Sequence, residues 1–291
     1  MTVLTERARA KVNLTLHVRD RRTDGYHDLD SLVAFAECAD GLSLVPGERL
    51  SLAITGPRAV ECGDLDDNLV LKATRLLGER MPKLISGAFE LDKHLPAAAG
   101  IGGGSADAAA ALRLLARANG IGRDDPRIVE AARATGADVP VCLHSAACVM
   151  SGVGETIAAR PMPQLPCVLV NPGVPVATRD VFAAVGLKPG ERSAGGDAEI
   201  VWPGPSASTD QWLSAIRSGR NDLEPPALRL QPVIGEVLGA LAEADGCLLA
   251  RMSGSGATCF GLFRDETTAN RAALRVAADR PHWWVLASAL S

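Results

Sequence analysis

Aromatic side chains are scarce: five Phe, four Trp and one Tyr make up 3% of the 291 residues. A surface that stacks many bases needs more than this, which disfavours single-stranded nucleic acid as the main partner. Charge of one sign is also lacking. Thirty Lys and Arg stand against 34 Asp and Glu, for a formal charge of -4 and a pI near 5.8, and the basic residues form no long block. Nucleic acid is disfavoured again. No uninterrupted apolar run approaches the roughly 18 residues of a membrane span. The opening "MTVLTERARAKVNLTL" has no continuous apolar stretch before a small-residue cleavage site, so no secretory signal is expected and the chain is placed in the cytoplasm. The seven cysteines (38, 62, 142, 148, 167, 247 and 259) are odd in number and scattered, with neither C-x-x-C nor a Cys/His cluster of zinc spacing. Buried thiols in a reducing compartment are the expected reading.

What the chain does have is length enough for two modest domains and a mixed pattern of elements. "VNLTLHV" (12–18) alternates as a half-buried strand does, which places Lys11 and Asn13 on a strand and Tyr26 and His27 on the loop "RRTDGYHDLD". "LSLVPGERLSLAITG" reads as two short strands around a Pro-Gly turn, "NLVLKATRLLGER" as an amphipathic helix, and "FELDKHLP" as another strand. Helices follow from about Ser105 to Ala118, with Ser105 as cap, then over "DPRIVEAARATG", then after Asp138. Strands first and helices afterwards suggest an α+β fold. The segment 186–208 reads as a long mobile excursion, and Trp283-Trp284 as core.

"LPAAAGIGGGSADAAAALRLLARANG" (95–120) carries Gly100 and Gly102 to Gly104 directly before a helix. Small residues let backbone N–H groups approach an anion, and a helix N-terminus adds its positive dipole end, so phosphate is the first candidate ligand. Neither common nucleotide motif fits: no Lys-Ser or Lys-Thr follows the glycines, and position 105 is Ser where a Rossmann fingerprint needs Gly. A tight turn for close packing is the alternative. Lys11 and Asn13 face the same side of their strand, yet a lysine there can be a plain surface residue. Asp138 can cap a helix or serve as a base. Tyr26-His27 can hold a planar ring or simply pack, and "RMSGSGATCFGLF" (251–263) offers a second small-residue loop or an ordinary turn.

Taken in order, "RAKVNLTLHV", "DGYHDLDSL", "PAAAGIGGGSADAA", "GADVP", "NDLE" and "MSGSGATCFGLF" resemble the GHMP kinase family over nearly the whole chain. The resemblance implies a two-domain α+β fold, an N-terminal ATP-binding domain over 1–155 and a C-terminal ferredoxin-like domain over 156–291, with the active site in the cleft between them. It implies ATP-dependent phosphorylation of an alcohol group on a small molecule bearing cytidine diphosphate, in the non-mevalonate route to isoprenoid precursors. Magnesium is expected with ATP, its ligands left open. Partners are limited to that substrate, with no nucleic acid and no membrane, and the expected assembly is a monomer or weak homodimer.

By the same resemblance, Lys11 and Asp138 match the catalytic pair, with Asp138 as general base and Lys11 as its charge partner. The loop of Pro96, Ala97, Ala98, Ala99, Gly100, Ile101, Gly102, Gly103, Gly104, Ser105 and Ala106 matches the ATP-phosphate loop. Asn68 and Lys93 lie near the adenosine side. Tyr26 and His27 match residues that read the cytosine ring, Phe182 the aromatic on its other face, and Asn13 a substrate contact. One departure stands out. The most glycine-rich versions of the loop read P-x-G-G-G-L-G-G-G-S-S, whereas this chain has Ala98, Ala99 and Ala106. The two loop alanines are expected at negative φ, and Asp107 is expected to favour the helix dipole rather than to bind metal. Other small-molecule kinases of the family, and a non-catalytic sensor on the same fold, remain as rivals.

Overall fold

The computed structural model describes residues 2–193 and 200–291. In chain order the strands are β1 (Leu4–Asn13), β2 (His17–Arg21), β3 (His27–Gly47), β4 (Ser51–Thr55), β5 (Ser86–Asp92), β6 (Cys148–Gly152), β7 (Thr156–Ala159), β8 (Leu165–Asn171), β9 (Cys247–Met252), β10 (Cys259–Phe263) and β11 (Trp284–Leu290). The helices are α1 (Leu69–Arg80), α2 (Gly103–Ala118), α3 (Pro126–Thr135), α4 (Val139–His144), α5 (Thr178–Val185), α6 (Thr209–Ser218), α7 (Glu224–Leu230), α8 (Val233–Ala242) and α9 (Glu266–Asp279). They fall into two compact units, neither continuous in sequence: 1–11, 38–97 and 102–145 form the first, and 12–37, 98–101 and 146–291 the second. Residue 155 lies inside the second unit, in the turn between β6 and β7.

In the first unit, β5 lies between the C-terminal half of β3, antiparallel to it, and β4, parallel to it. The expected hairpin around Pro46-Gly47 therefore does not form, because β5 takes the place beside β3 that β4 would have filled. Helix α2 is the centre of the helical layer, with α1, α3 and α4 packed on it. Its run of alanines favours the helix and lets neighbours come close, and it is buried from Ala106 to Leu112 and from Leu114 to Ala116. Asp125 caps α3 and Pro126 opens it, as the pattern predicts.

In the second unit, β8, α8, β9, β10, α9 and β11 come in that order, with α5, α6 and α7 inserted between β8 and α8, and the antiparallel sheet runs in the order β11, β8, β10, β9. This is the β-α-β-β-α-β ferredoxin-like arrangement that the family resemblance implies. Val168, Val170, Met252, Cys259 and Phe263 of the sheet pack with Ile234, Val237 and Leu241 of α8 and with Ala269, Ala272, Ala273 and Val276 of α9. The expected strand over 12–18 is broken: β1 stops at Asn13 and β2 starts at His17, while Leu16 N–H donates to Arg220 O at 2.8 Å. Arg251, on β9 and buried, donates to Leu14 O, Ile216 O and Gly219 O at 2.7, 3.0 and 2.7 Å. Trp283 and Trp284 are only half-buried, with the Arg280 guanidinium over the Trp283 ring, and the fully buried tryptophan is Trp212. In the expected excursion, residues 194–199 lie outside the described residues. Residues 190–193 are tied to β2, with Gly190 N–H donating to Arg21 O and Ser193 N–H to Arg19 O.

The glycine-rich loop corrects two expectations. Helix α2 begins at Gly103 with Gly102 as its N-cap in the left-handed region (φ 63°), so Ser105 sits inside the first turn and is not the cap. Ala98 has φ 49° rather than a negative value, one of two non-glycine residues at positive φ among those described. An alanine there costs roughly 1–2 kcal/mol. Glycine's freer unfolded chain returns about 0.4–1 kcal/mol of that. Ala98→Gly is thus expected to raise the thermal midpoint by about 1–3 °C, and a fall on differential scanning would refute the strain.

Two histidines of the second unit link stability to pH. His17 accepts the Arg220 N–H on Nε2 at 3.1 Å, and burial, with Arg220 next, lowers its pKa below 6.5. Burial and then Arg21 lower His27 in the same way. The unfolded chain binds these protons more readily, so this contribution is complete above pH 6.5 and is lost as the pH falls through it. Asp107, raised to about 7 by burial, acts in the opposite sense. The quantity to read is therefore a difference. Between pH 7.5 and 6.0 the wild type should lose more thermal stability than His17→Gln, and parallel curves would remove His17 from the linkage.

Candidate active site

The chemistry of the first unit gathers at the start of α2. Lys11, on β1 and 4% exposed, places its Nζ 2.9 Å from Asp138 Oδ1. Asp138 is the residue before α4, yet its side chain makes no capping hydrogen bond, so its carboxylate is left for the lysine. Its side chain is 38% exposed, which leaves one flank open to a reactant. A Cβ added to Gly102 would come within 3.3 Å of Lys11 Cβ and 3.5 Å of its Cε. Glycine is therefore required there twice, by its φ and by the lysine stem lying against it. The N–H groups of the first turn of α2 have no partners within the helix, and the N-cap before them lies against this lysine.

Lys93 and Asn68 are occupied within the first unit. Asn68 Oδ1 accepts the Val70 N–H at 2.9 Å and caps α1. Lys93 Nζ donates to Asp40 Oδ2 at 2.6 Å and to Asp107 Oδ2 at 2.7 Å, all three side chains being buried. Burial pulls the ammonium pKa down, but the two carboxylates outweigh it and the result lies above the ordinary lysine value. Asp107 is therefore an ion-pair partner rather than a helix-dipole residue on the surface. Asp40 carried no motif in the sequence. Its one signal is an acid inside the largely apolar stretch "VAFAECADGLSL".

In the second unit, residues 98–101 of the loop are held by the loop that follows β9. Thr258 N–H donates to Ala99 O at 3.1 Å and Ser253 Oγ to Gly100 O at 3.1 Å. Any Cβ at Gly100 would strike Gly256 O at 2.6 Å and Ser253 O at 2.7 Å. Asn221, from "NDLE", donates through Nδ2 to Met252 O and Gly254 O at 2.8 and 2.9 Å and so shapes that second loop. Asn13 binds Ser253 Oγ through its N–H and Ser31 Oγ through Nδ2, which leaves its buried Oδ1 without a partner.

The rings of His27 and Phe182 stack on each other with centroids 4.8 Å apart and planes 26° apart, and His27 Nε2 has no partner. With its pKa lowered, the imidazole is neutral at pH 7. Tyr26 stands 65% exposed beside it. Phe182 thus covers His27 itself rather than the far face of a ring-binding gap, and the His27 Nε2 is left without a partner.

Among the described residues, no cluster of three or more His, Cys, Asp or Glu could hold a metal ion, and no helix is long and apolar enough to cross a membrane. Family models match in two places, GHMP kinases N terminal domain over 68–146 and GHMP kinases C terminal over 209–281. The chain is 64% identical to the 4-diphosphocytidyl-2-C-methyl-D-erythritol kinase of Nitrobacter hamburgensis, over 100% of this chain and 96% of that one. It is 61% identical to the kinase of the same name from Rhodopseudomonas palustris, over 100% and 99%. A crystal structure of 4-(cytidine 5'-diphospho)-2C-methyl-D-erythritol kinase superposes with a TM-score of 0.78 at 33% identity, covering 99% of each chain. Homoserine kinase from Cytophaga hutchinsonii shares the fold, with a TM-score of 0.66 at 19% identity over 99% and 95%. From two family models, full-length relatives and a shared fold, the chain belongs to the GHMP kinase family and is a small-molecule kinase.

Proposed function

We propose that this kinase transfers the γ-phosphoryl group of ATP to the 2-hydroxyl of 4-diphosphocytidyl-2-C-methyl-D-erythritol, as the names of its relatives suggest. The observation that carries the chemistry is the Lys11–Asp138 pair at 2.9 Å beside the first turn of α2. Phosphoryl transfer requires mainly alignment of donor and acceptor and neutralisation of charge on the transferring group. The loop from Pro96 to Ala106 suits the first task, since Gly102 can lie flush on the lysine and the helix N-terminus presents unpaired N–H donors.

In the proposed step, the acceptor oxygen forms a bond to the γ-phosphorus while the bond from that phosphorus to the ADP oxygen breaks. The hydroxyl proton passes to the free flank of Asp138. Lys11 holds the carboxylate in place and draws the γ-phosphate towards it. Magnesium accompanies the nucleotide and offsets phosphate charge when bound. Asn68 acts on the adenosine side by fixing the start of α1. On the acceptor, the cytosine lies against the aromatic group of Tyr26, His27 and Phe182, where the free His27 Nε2 supplies a hydrogen bond, and Asn13 turns its unpartnered Oδ1 to a substrate donor.

Base catalysis contributes on the order of 10²–10⁴-fold. Asp138→Asn is expected to lower kcat by that factor while ATP affinity and the thermal midpoint hold, and Lys11→Ala to lower kcat similarly. Near-normal turnover in Asp138→Asn would refute the base. Phe182→Ala is expected to raise KM for the cytidyl substrate by roughly 10–100-fold, the range for losing one stacked base, with kcat nearly kept. The decisive assay is ADP release with the cytidyl compound against the same polyol phosphate without its cytidyl group. Turnover of the first alone supports the reading, and equal turnover of both removes the base pocket.

A further inference from the structure

One cluster in the first unit has no place in the transfer step: the buried ammonium of Lys93 between the carboxylates of Asp40 and Asp107. Its partners come from three parts of the chain. Asp40 lies on β3, Lys93 directly after β5, and Asp107 in the second turn of α2. Asp40 uses its other oxygen as well, accepting the His94 N–H at 2.6 Å and the Leu95 N–H at 2.8 Å. The backbone of Lys93 is fixed too, its N–H donating to Thr55 O at 2.9 Å and its carbonyl accepting the Arg58 N–H at 3.1 Å. A Cβ on Gly103 would stand 3.4 Å from Lys93 Nζ, so the ammonium lies directly under the first residue of α2. The segment entering the glycine-rich loop and the helix leaving it are thus fastened to the same buried charge.

We propose that Lys93 is a positioning residue for nucleotide binding: clamped by Asp40 and Asp107, it locks residues 93–95 against the first turns of α2 and so sets the spacing of the N–H groups that receive phosphate. This rests on the reading that the loop binds the phosphates of ATP. The two carboxylates take two of the lysine's three N–H groups and hold its head beneath the helix start. Its effect passes through the backbone. Burying one cation with two carboxylates is costly unless each is hydrogen-bonded, and Asp107 Oδ1 is left without a partner. A cluster kept for stability alone would be better served by apolar side chains of the same volume.

The test compares the full-length protein with Lys93→Met/Asp107→Asn, which cuts the clamp and leaves Asp40 only the two backbone N–H groups on its Oδ1, and with Asp107→Asn alone, whose amide oxygen still accepts from the lysine. Calorimetry with a non-hydrolysable ATP analogue and magnesium reads affinity, and saturating ATP reads kcat. The double variant is expected to bind at least 10-fold more weakly with kcat within about threefold, and restoring the lysine in Asp107→Asn to return affinity to within about threefold. A folded double variant with wild-type affinity overturns the proposal. Amide exchange on the unaltered protein gives a second readout that needs no variant: His94, Leu95 and the residues of the first two turns of α2 should open together and be protected together by the analogue. Independent exchange of the two segments overturns the clamp. Failure of the unaltered protein to bind the analogue at all would instead refute phosphate binding by the loop.

Discussion

A helix buried on nearly every side still has to leave the N–H groups of its first turn unpaired, and α2 turns that obligation into the feature on which the first unit depends. Desolvated donors are expensive unless something accepts from them. Everything around them is shaped accordingly. Gly102 takes a left-handed conformation so that the chain can enter the helix against the Lys11 stem, and Gly103 leaves space over the Lys93 ammonium. The alanines that follow bring α1, α3 and α4 close enough to keep the helix axis from shifting.

The two lysines of this region show how one residue type serves opposite ends. Lys11 has a partner with an open flank, and its charge can be shared with an incoming group. Lys93 is buried against two carboxylates, which balance its charge and take two of its three N–H groups. The sequence places both before glycines or near a strand end, and nothing in their immediate neighbours separates them. The difference lies in Asp40, an acid more than fifty residues from Lys93 in the chain, and no local pattern announces such a contact.

Elements with strong local signals were readable. Asp125-Pro126 opens α3, the alanine run makes α2, and the β-α-β-β-α-β order follows once the family is recognised. What could not be read depends on partners distant in sequence. The break between β1 and β2 exists because Leu16 pairs with Arg220, and the parallel neighbour of β5 is β4 because β3 already takes its other side. Ala98 is a different case. A propensity argument puts alanine at negative φ, and the hold that the loop after β9 has on Ala99 and Gly100 overrides it. Lys11 and Asp138 were singled out before their ion pair in the first unit could be seen, while the stacking of His27 directly on Phe182 in the second was not legible.

The discontinuity of the second unit bears on how the chain is made. Residues 12–37 belong with residues 146–291, and Phe35 exchanges backbone hydrogen bonds with Ser291 at 3.0 Å in both directions. A ribosome adding 5–20 residues per second needs roughly 10–50 s to synthesise the intervening chain of about 250 residues. Over that interval β2 and β6 can take their places on β3, while the stretch of β3 around Phe35 and Ala36 that meets β11 still lacks its final partner. Contacts this distant in sequence also make for slow folding. That short stretch of β3 is therefore an edge the nascent chain carries uncovered, and the arrival of β11 is the step that covers it.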